Sequence, residues 1–276
     1  MNATNRQNML KVRENVELWY EKNPVDQPKA VAIIVHGLCE HAGRYDYAVS
    51  RLNAFGYSVY RFDNSGHGRS GGKRASIENY RHFIDDADKI VDLAGKENPG
   101  IPLFMLGHSM GGFITASYGI NRPGRLSGQI LSGAAVMVLP MVQGMEDFDF
   151  NATPDVPIPN DLSDLVSRDP AVVQAYKDDP LVLKEFTMKL MGEVFIRGAK
   201  DVMAGMASYR YPCLILHGGG DQIVTPDASK YFFEHISSTD KELKIYDGLY
   251  HEILNEPEKD AVLEDVHRWI DKRIKP

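Results

Sequence analysis

The sequence predicts an α/β fold, a mostly parallel sheet flanked by helices on both faces, with a helical cap inserted into it. Three observations predict it. Short, continuously apolar runs recur along the chain, as strands covered on both faces should. Helix-length segments separate them, and alternating strand and helix implies a parallel sheet wound on both sides. The alternation breaks once, between Ala135 and Tyr209, and resumes at Tyr211-Pro212.

Val16, Leu18 and Tyr20 alternate with Glu17 and Trp19, which predicts a half-exposed early strand, and Pro24 to Pro28 turns the chain. Ala30 to His36 is the first fully apolar run, and Tyr57 to Phe62, Leu103 to Leu106, Gln129 to Ser132, Cys213 to Leu216 and Leu243 to Tyr246 repeat it. Between them, Tyr45 to Phe55, Ile77 to Ala94, Phe113 to Asn121 and Pro226 to Ile236 have helical length. Val262, Leu263, Val266, Trp269 and Ile270 predict an amphipathic closing helix that docks on the sheet. The interruption combines a Met-rich apolar run from Val136 to Val142, an acidic patch from Glu146 to Asp149 and a proline-rich passage from Pro154 to Pro159. Leu181, Val182, Phe186, Leu190, Met191, Val194 and Phe195 then recur at roughly helical spacing. Together they predict a mainly helical cap over residues 136–206, inserted into a core formed by 1–135 and 207–276. The methionines of the cap fit core packing and an adaptable binding wall equally well.

At 276 residues, with 43% apolar and 25% charged side chains, the chain can bury one substantial core. A net charge of −7 argues against nucleic acid and anionic membranes as electrostatic partners, and leaves room for transient contact between an apolar cap surface and lipid. No apolar run approaches the length of a bilayer span, and the polar stretch Met1 to Asn8 lacks the apolar core of a signal peptide. The expectation is a cytoplasmic protein, peripheral at membranes at most. Cys39 and Cys213, with no Cys-x-x-Cys, form neither a disulfide framework nor a zinc pattern; no metal site and no cofactor are expected.

In such a sheet, chemistry collects at the carboxyl ends of the strands. Polar residues gather there: His36 to His41 after one strand, Asp63 to Gly68 after the next, Gly107-His108-Ser109 after a third and His217 to Asp221 after a later one. Gly-x-Ser-x-Gly occurs twice, as Gly107-His108-Ser109-Met110-Gly111 and as Gly68-Arg69-Ser70-Gly71-Gly72. The first lies between a buried strand and an amphipathic helix, which is the setting of a nucleophile elbow; the second lies in a polar, glycine-rich loop. Ser109 is therefore the predicted nucleophile.

A serine nucleophile needs an imidazole to take its proton and a carboxylate to orient that imidazole. His251 follows the last strand after a short loop. His235 and His267 fall in helices, His36 and His217 at buried strand ends, and His108 points away from its neighbour, so these read as structural. Asp221 sits in a loop after three glycines; Asp227 lies at a helix start, where a capping role suffices, and Asp247 precedes a turn glycine. The order Ser109, Asp221, His251 is the nucleophile, acid, base order of α/β-hydrolases. The oxyanion hole is expected from the Met110 N–H and the Leu38 N–H, with Gly37 letting the backbone approach and His36 bracing the loop. Cys39, beside Leu38, reads either as a thiol within reach of substrate or as a small buried residue.

These motifs resemble the monoacylglycerol lipases and their lysophospholipase-like relatives within the α/β-hydrolases, over nearly the whole chain. The resemblance rests on His36-Gly37-Leu38-Cys39-Glu40-His41 with Gly43-Arg44-Tyr45, on Gly66-His67-Gly68-Arg69-Ser70-Gly71-Gly72, and on Gly107 to Gly112. It extends through the cap, in Ser167-Arg168-Asp169-Pro170 with Tyr176 and Asp179-Pro180-Leu181, to Gly248-Leu249-Tyr250-His251-Glu252. It implies hydrolysis of a monoacylglycerol to fatty acid and glycerol, with Glu40, Arg44 and Tyr176 near the glycerol end of the site. Asn64 and Ser65 are less usual in their loop, and the segment from Met137 to Asp161 is short and proline-rich, so an acyl-chain preference does not carry over. A lysophospholipase, a general carboxylesterase or an aminopeptidase could use the same triad. A non-catalytic ligand-binding protein on this fold would have no need of His251.

Overall fold

The computed structural model describes residues 6–145 and 147–274; the start of the polar N-terminal stretch and Glu146 of the acidic patch lie outside the described residues. The chain opens with two strands, β1 (Arg6–Arg13) and β2 (Val16–Asn23). Then come β3 (Ala30–Val35), α1 (Asp46–Ala54), β4 (Tyr57–Phe62), α2 (Arg81–Glu97), β5 (Leu103–His108), α3 (Met110–Asn121) and β6 (Gly128–Ser132). An excursion carries β7 (Pro157–Pro159), α4 (Pro170–Asp178), β8 (Glu185–Thr187), α5 (Met188–Met191) and α6 (Ala199–Gly205). The chain returns through β9 (Cys213–Gly218), α7 (Asp227–His235), β10 (Lys241–Tyr246) and α8 (Lys259–Asp271).

The main sheet has the order β1-β2-β4-β3-β5-β6-β9-β10. Strands β4 to β10 of that order are parallel to one another, and β2 is antiparallel to both of its neighbours. The continuous apolar character of β3 follows from what covers it. Val31, Ile33 and Val35 join one core with Phe83 and Ile90 of α2 and Phe113 of α3, while Ala30, Ala32 and Ile34 join a second with Leu52 of α1 and Trp269 of α8. Burying a large apolar side chain contributes about 1.5–3 kcal/mol. A strand covered on both faces is therefore mainly apolar, and a polar residue there must be partnered, as Arg61 of β4 is by Glu21 at 2.8 Å.

The structure departs from the sequence expectations in four places. β1 is an additional edge strand, paired to β2 with Leu10 opposite Leu18. In β2, Leu18 and Tyr20 pack into the core, and Trp19 on the other face is buried as well, with the Arg69 guanidinium over its ring, 4.6 Å from the centroid. α2 begins at Arg81, four residues after Ile77, where Asn79 Oδ1 accepts the Arg81 N–H at 3.0 Å. The excursion between β6 and β9 is less helical than expected. Pro157 and Pro159 cannot donate to a ladder, and they sit in a three-residue strand that pairs antiparallel with β8. Beyond α5 the helix widens into a π-helical stretch, Gly192–Gly198, that runs into α6. Among the described residues no helix is long and apolar enough to cross a membrane.

Candidate active site

The turn between β5 and α3 is shaped around Ser109, which has φ 55° and ψ −117°, a sparsely populated region for a residue with a side chain. Its N–H donates to the Ser132 carbonyl at 2.9 Å, tying the turn to the end of β6. The flanking glycines are needed for space. A Cβ on Gly107 would lie 2.1 Å from the Gly111 carbonyl oxygen, and one on Gly111 would lie 2.0 Å from that of Val35. The same crowding brings the loop after β3 against the serine, since a Cβ on Gly37 would stand 3.1 Å from Ser109 Cβ. Among the described residues, neither the Leu38 N–H nor the Met110 N–H donates to a protein carbonyl or side chain. Met110 is the first residue of α3, whose N-terminal dipole favours negative charge at that point.

Asp221 and His251, thirty positions apart, meet with His251 Nδ1 donating to Asp221 Oδ2 at 2.6 Å. A carboxylate only accepts, so the imidazole proton sits on Nδ1 and Nε2 is left as the acceptor. The Asp221 carboxylate also takes the N–H groups of Ile223 at 2.9 Å and Val224 at 3.0 Å, and His217 Nε2 at 3.1 Å. Burial alone would raise the Asp221 carboxyl; the His251 charge and the bonds from His217 and His251 override it and hold the group well below the usual carboxylate range. For His251 burial acts downward, and the charge and hydrogen bond of Asp221, with Glu252 and Glu40 behind, carry the net shift upward.

Of the other histidines, His217 bonds to Asp221, the His108 ring packs with its centroid 4.6 Å from that of His251, and His36 is bound in the loop after β3. His36 Nε2 accepts the Asn64 N–H at 2.8 Å and its Nδ1 donates to the Gly37 carbonyl at 2.8 Å, which braces the loop below Leu38. Burial holds this ring neutral, with its pKa pushed down to about 3. The uncommon Asn64 adds a bond to the His36 carbonyl at 3.1 Å, and Ser65 Oγ donates to Asp86 at 2.6 Å, so both departures in that loop do structural tasks. Ser70 is committed to the backbone as well, bridging the Trp19 N–H and the Asp63 carbonyl.

Ser109, His251 and Leu38 open onto one cavity of about 180 Å3. Its apolar wall comes largely from the excursion: Leu139 and Val142 from the Met-rich run, Ile158, Leu162 and Val166, then Phe186, Met191 and Phe195. Glu40, Tyr176 and Glu252 form the polar part of the lining. Arg44 stands outside it. Its Nη2 donates to Glu252 at 2.5 Å and its guanidinium lies over the Tyr176 ring, 4.6 Å from the centroid, so it acts on the cavity through those two side chains. Tyr176 Oη accepts from Asn160 at 2.8 Å. The Glu40 carboxyl is pushed up to about 8, by burial first and the neighbouring Glu252 charge second, against the opposing pull of Arg44. Cys39 is buried and absent from the lining, and burial raises its thiol far above the ordinary range, which answers the open reading in favour of a small packed residue.

Glu252 and His217 are the participants that sequence reasoning passed over. For His217 the signal was its place at a strand end, four residues before Asp221. For Glu252 it was only adjacency to His251.

A serine on a strand-to-helix elbow beside an aspartate-supported histidine, on a sheet of this strand order, defines an α/β-hydrolase. A family model described as serine aminopeptidase, S33, matches residues 26–258. The monoacylglycerol lipase of Mycolicibacterium smegmatis is 38% identical over 263 residues, 94% of this chain and 93% of that protein. The monoglyceride lipase of Mus musculus is 32% identical over 91% of this chain and 85% of its own length. The crystal structure of Paleococcus ferrophilus monoacylglycerol lipase matches with a TM-score of 0.84 at 30% identity, over 93% of this chain and 99% of that one. The chain belongs to the serine aminopeptidase S33 family, among its monoacylglycerol lipase-like α/β-hydrolases.

Proposed function

We propose that this chain is a serine esterase that hydrolyses monoacylglycerol to fatty acid and glycerol through a covalent acyl-enzyme. The observation that carries the reading is one cavity whose lining joins Ser109 and His251 to an apolar wall and to the two acidic residues Glu40 and Glu252. Ser109 Oγ attacks the ester carbonyl while His251 Nε2 takes its proton, and the oxyanion is received by the N–H groups of Leu38 and Met110. His251 then gives the proton to the departing glycerol oxygen. Water enters, loses a proton to the same nitrogen, attacks the acyl carbon and releases the fatty acid with Ser109 restored. Asp221 holds the imidazole in its working tautomer and stabilises the imidazolium. Residues 136–206 act as a cap that supplies the acyl wall. Phe148 and Val156, each 44% exposed on that segment, provide apolar contact for transient approach to a lipid surface. Two unpaired cysteines fit a reducing, cytoplasmic setting.

The test is kcat/KM for mono-, di- and triacylglycerols and lysophosphatidylcholine at matched chain length. Each buried methylene contributes about 0.8 kcal/mol, so four added carbons should gain up to about a hundredfold before the preference levels off. Monoacylglycerol should lead the panel. Equal rates on all four, or a lead for the choline ester, would refute the assignment.

A further inference from the structure

The carboxylate of Glu252 is used on one side only. Its Oε2 takes Arg44 Nη2 at 2.5 Å and Asn255 Nδ2 at 2.8 Å, while Oε1 has no hydrogen-bond partner. The side chain is 2% exposed and lines the same cavity as Ser109 and His251. An acceptor buried without a donor is costly to keep, and a ligand group that donates to it recovers that cost. The residue is also held in place. Its backbone N–H donates to the Val166 carbonyl at 2.7 Å, and Arg44, which fixes Oε2, is itself stacked on Tyr176. Such an acceptor is pre-organised and needs no rearrangement to bind.

We propose that Glu252 determines leaving-group specificity, its unpartnered Oε1 accepting a hydrogen bond from a free hydroxyl of the substrate's alcohol portion. The proposal rests on the monoacylglycerol reading and names the group that enforces it. The two buried carboxyls divide the task. Arg44 lies 2.5 Å from Glu252 but 4.0 Å from Glu40, so the ion pair belongs to Glu252, which is left to accept. Glu40, whose carboxyl burial and the Glu252 charge push up to about 8, can donate when it carries its proton. A polyol with two free hydroxyls satisfies both groups. A simple alkyl ester satisfies neither, and a site that leaves its own polar groups unpaired discriminates strongly against it.

The test compares monodecanoylglycerol with methyl decanoate in wild type, Glu252→Gln and Glu252→Asp. In Glu252→Gln the donors on Arg44 and Asn255 draw the amide oxygen to the Oε2 position, which leaves an NH2 donor where the acceptor stood. Glu252→Asp keeps the charge but withdraws the carboxylate by one methylene, and it serves if the glutamine variant does not fold. In either variant the ratio of kcat/KM on the glycerol ester to kcat/KM on the methyl ester should fall about tenfold or more from its wild-type value, whatever common loss both esters share. If wild type prefers the glycerol ester and both variants fall equally on the two substrates, or on neither, Glu252 only supports Arg44 and the proposal is wrong. If wild type treats the two esters alike, the monoacylglycerol reading falls, and this proposal with it.

Discussion

His217 Nε2 lies 3.1 Å from Asp221 Oδ2, the same oxygen that takes the Nδ1–H of His251 at 2.6 Å. It also lies 2.7 Å from the Val224 carbonyl, so both of its near neighbours are acceptors and the proton must sit on Nε2; Nδ1 is then free to accept from Ser229 Oγ at 2.7 Å. The histidine is a brace that steers Asp221 toward His251. Replacing His217 with Leu removes a bond to a charged group, which should lower stability by about 1.5–3 kcal/mol. The carboxylate should also lose its aim, lowering kcat by about tenfold. Thermal melting together with kcat on a monoacylglycerol checks both parts. An unchanged kcat would mean that Ile223 and Val224 orient Asp221 without help.

The two glycine-flanked serines should separate cleanly. Ser109→Ala should lower kcat by about 10⁴-fold or more and abolish labelling by a fluorophosphonate probe. Ser70→Ala should keep kcat near wild type and melt earlier, because the Trp19 N–H and its surroundings are buried and would lose a partner worth about 1–3 kcal/mol. Loss of labelling in Ser70→Ala alone would reverse the assignment.

The upward shift of His251 sets the pH dependence. A general base works only when neutral, so kcat/KM should fall as pH drops through a value above the ordinary histidine pKa of about 6.5. Asp221→Asn removes the charge that opposes burial. The residual activity of that variant should then show its acid limb at lower pH than wild type. Limbs that coincide would show that Asp221 does not set the imidazole's affinity for its proton.

Glu40 carries the opposite linkage from an ordinary paired carboxylate. Its pKa in the folded protein, about 8, lies above the unfolded value of about 4.3, so the folded state binds more protons between the two. Stability therefore declines as pH rises from about 4.3 toward 8 and is least penalised below that window. Glu40→Gln, which stays neutral, should melt higher than wild type by a margin that widens from pH 5 to pH 8. A margin that is constant with pH would show that Glu40 is ionised in the folded protein throughout.

The sequence by itself determined the strand and helix succession of the parallel sheet, the elbow at Ser109 and the order of serine, aspartate and histidine, because each of these is a local pattern. A strand covered on both faces must be mainly apolar, and an elbow must carry glycines where backbone crowds backbone. What only the tertiary structure decided is which side chains share the cavity. Arg44 and Glu252 are 208 positions apart, and no periodicity in either element encodes their meeting. Their contact depends on how the loops after β3 and β10 close over the rim of the sheet, and it moves Arg44 behind the cavity lining and puts Glu252 into it. The pairing of Pro157–Pro159 with Glu185–Thr187 and the burial of Cys39 have the same origin. Short polar and proline-rich segments carry little information about their partners, which are chosen by the space that the packed excursion leaves against the core.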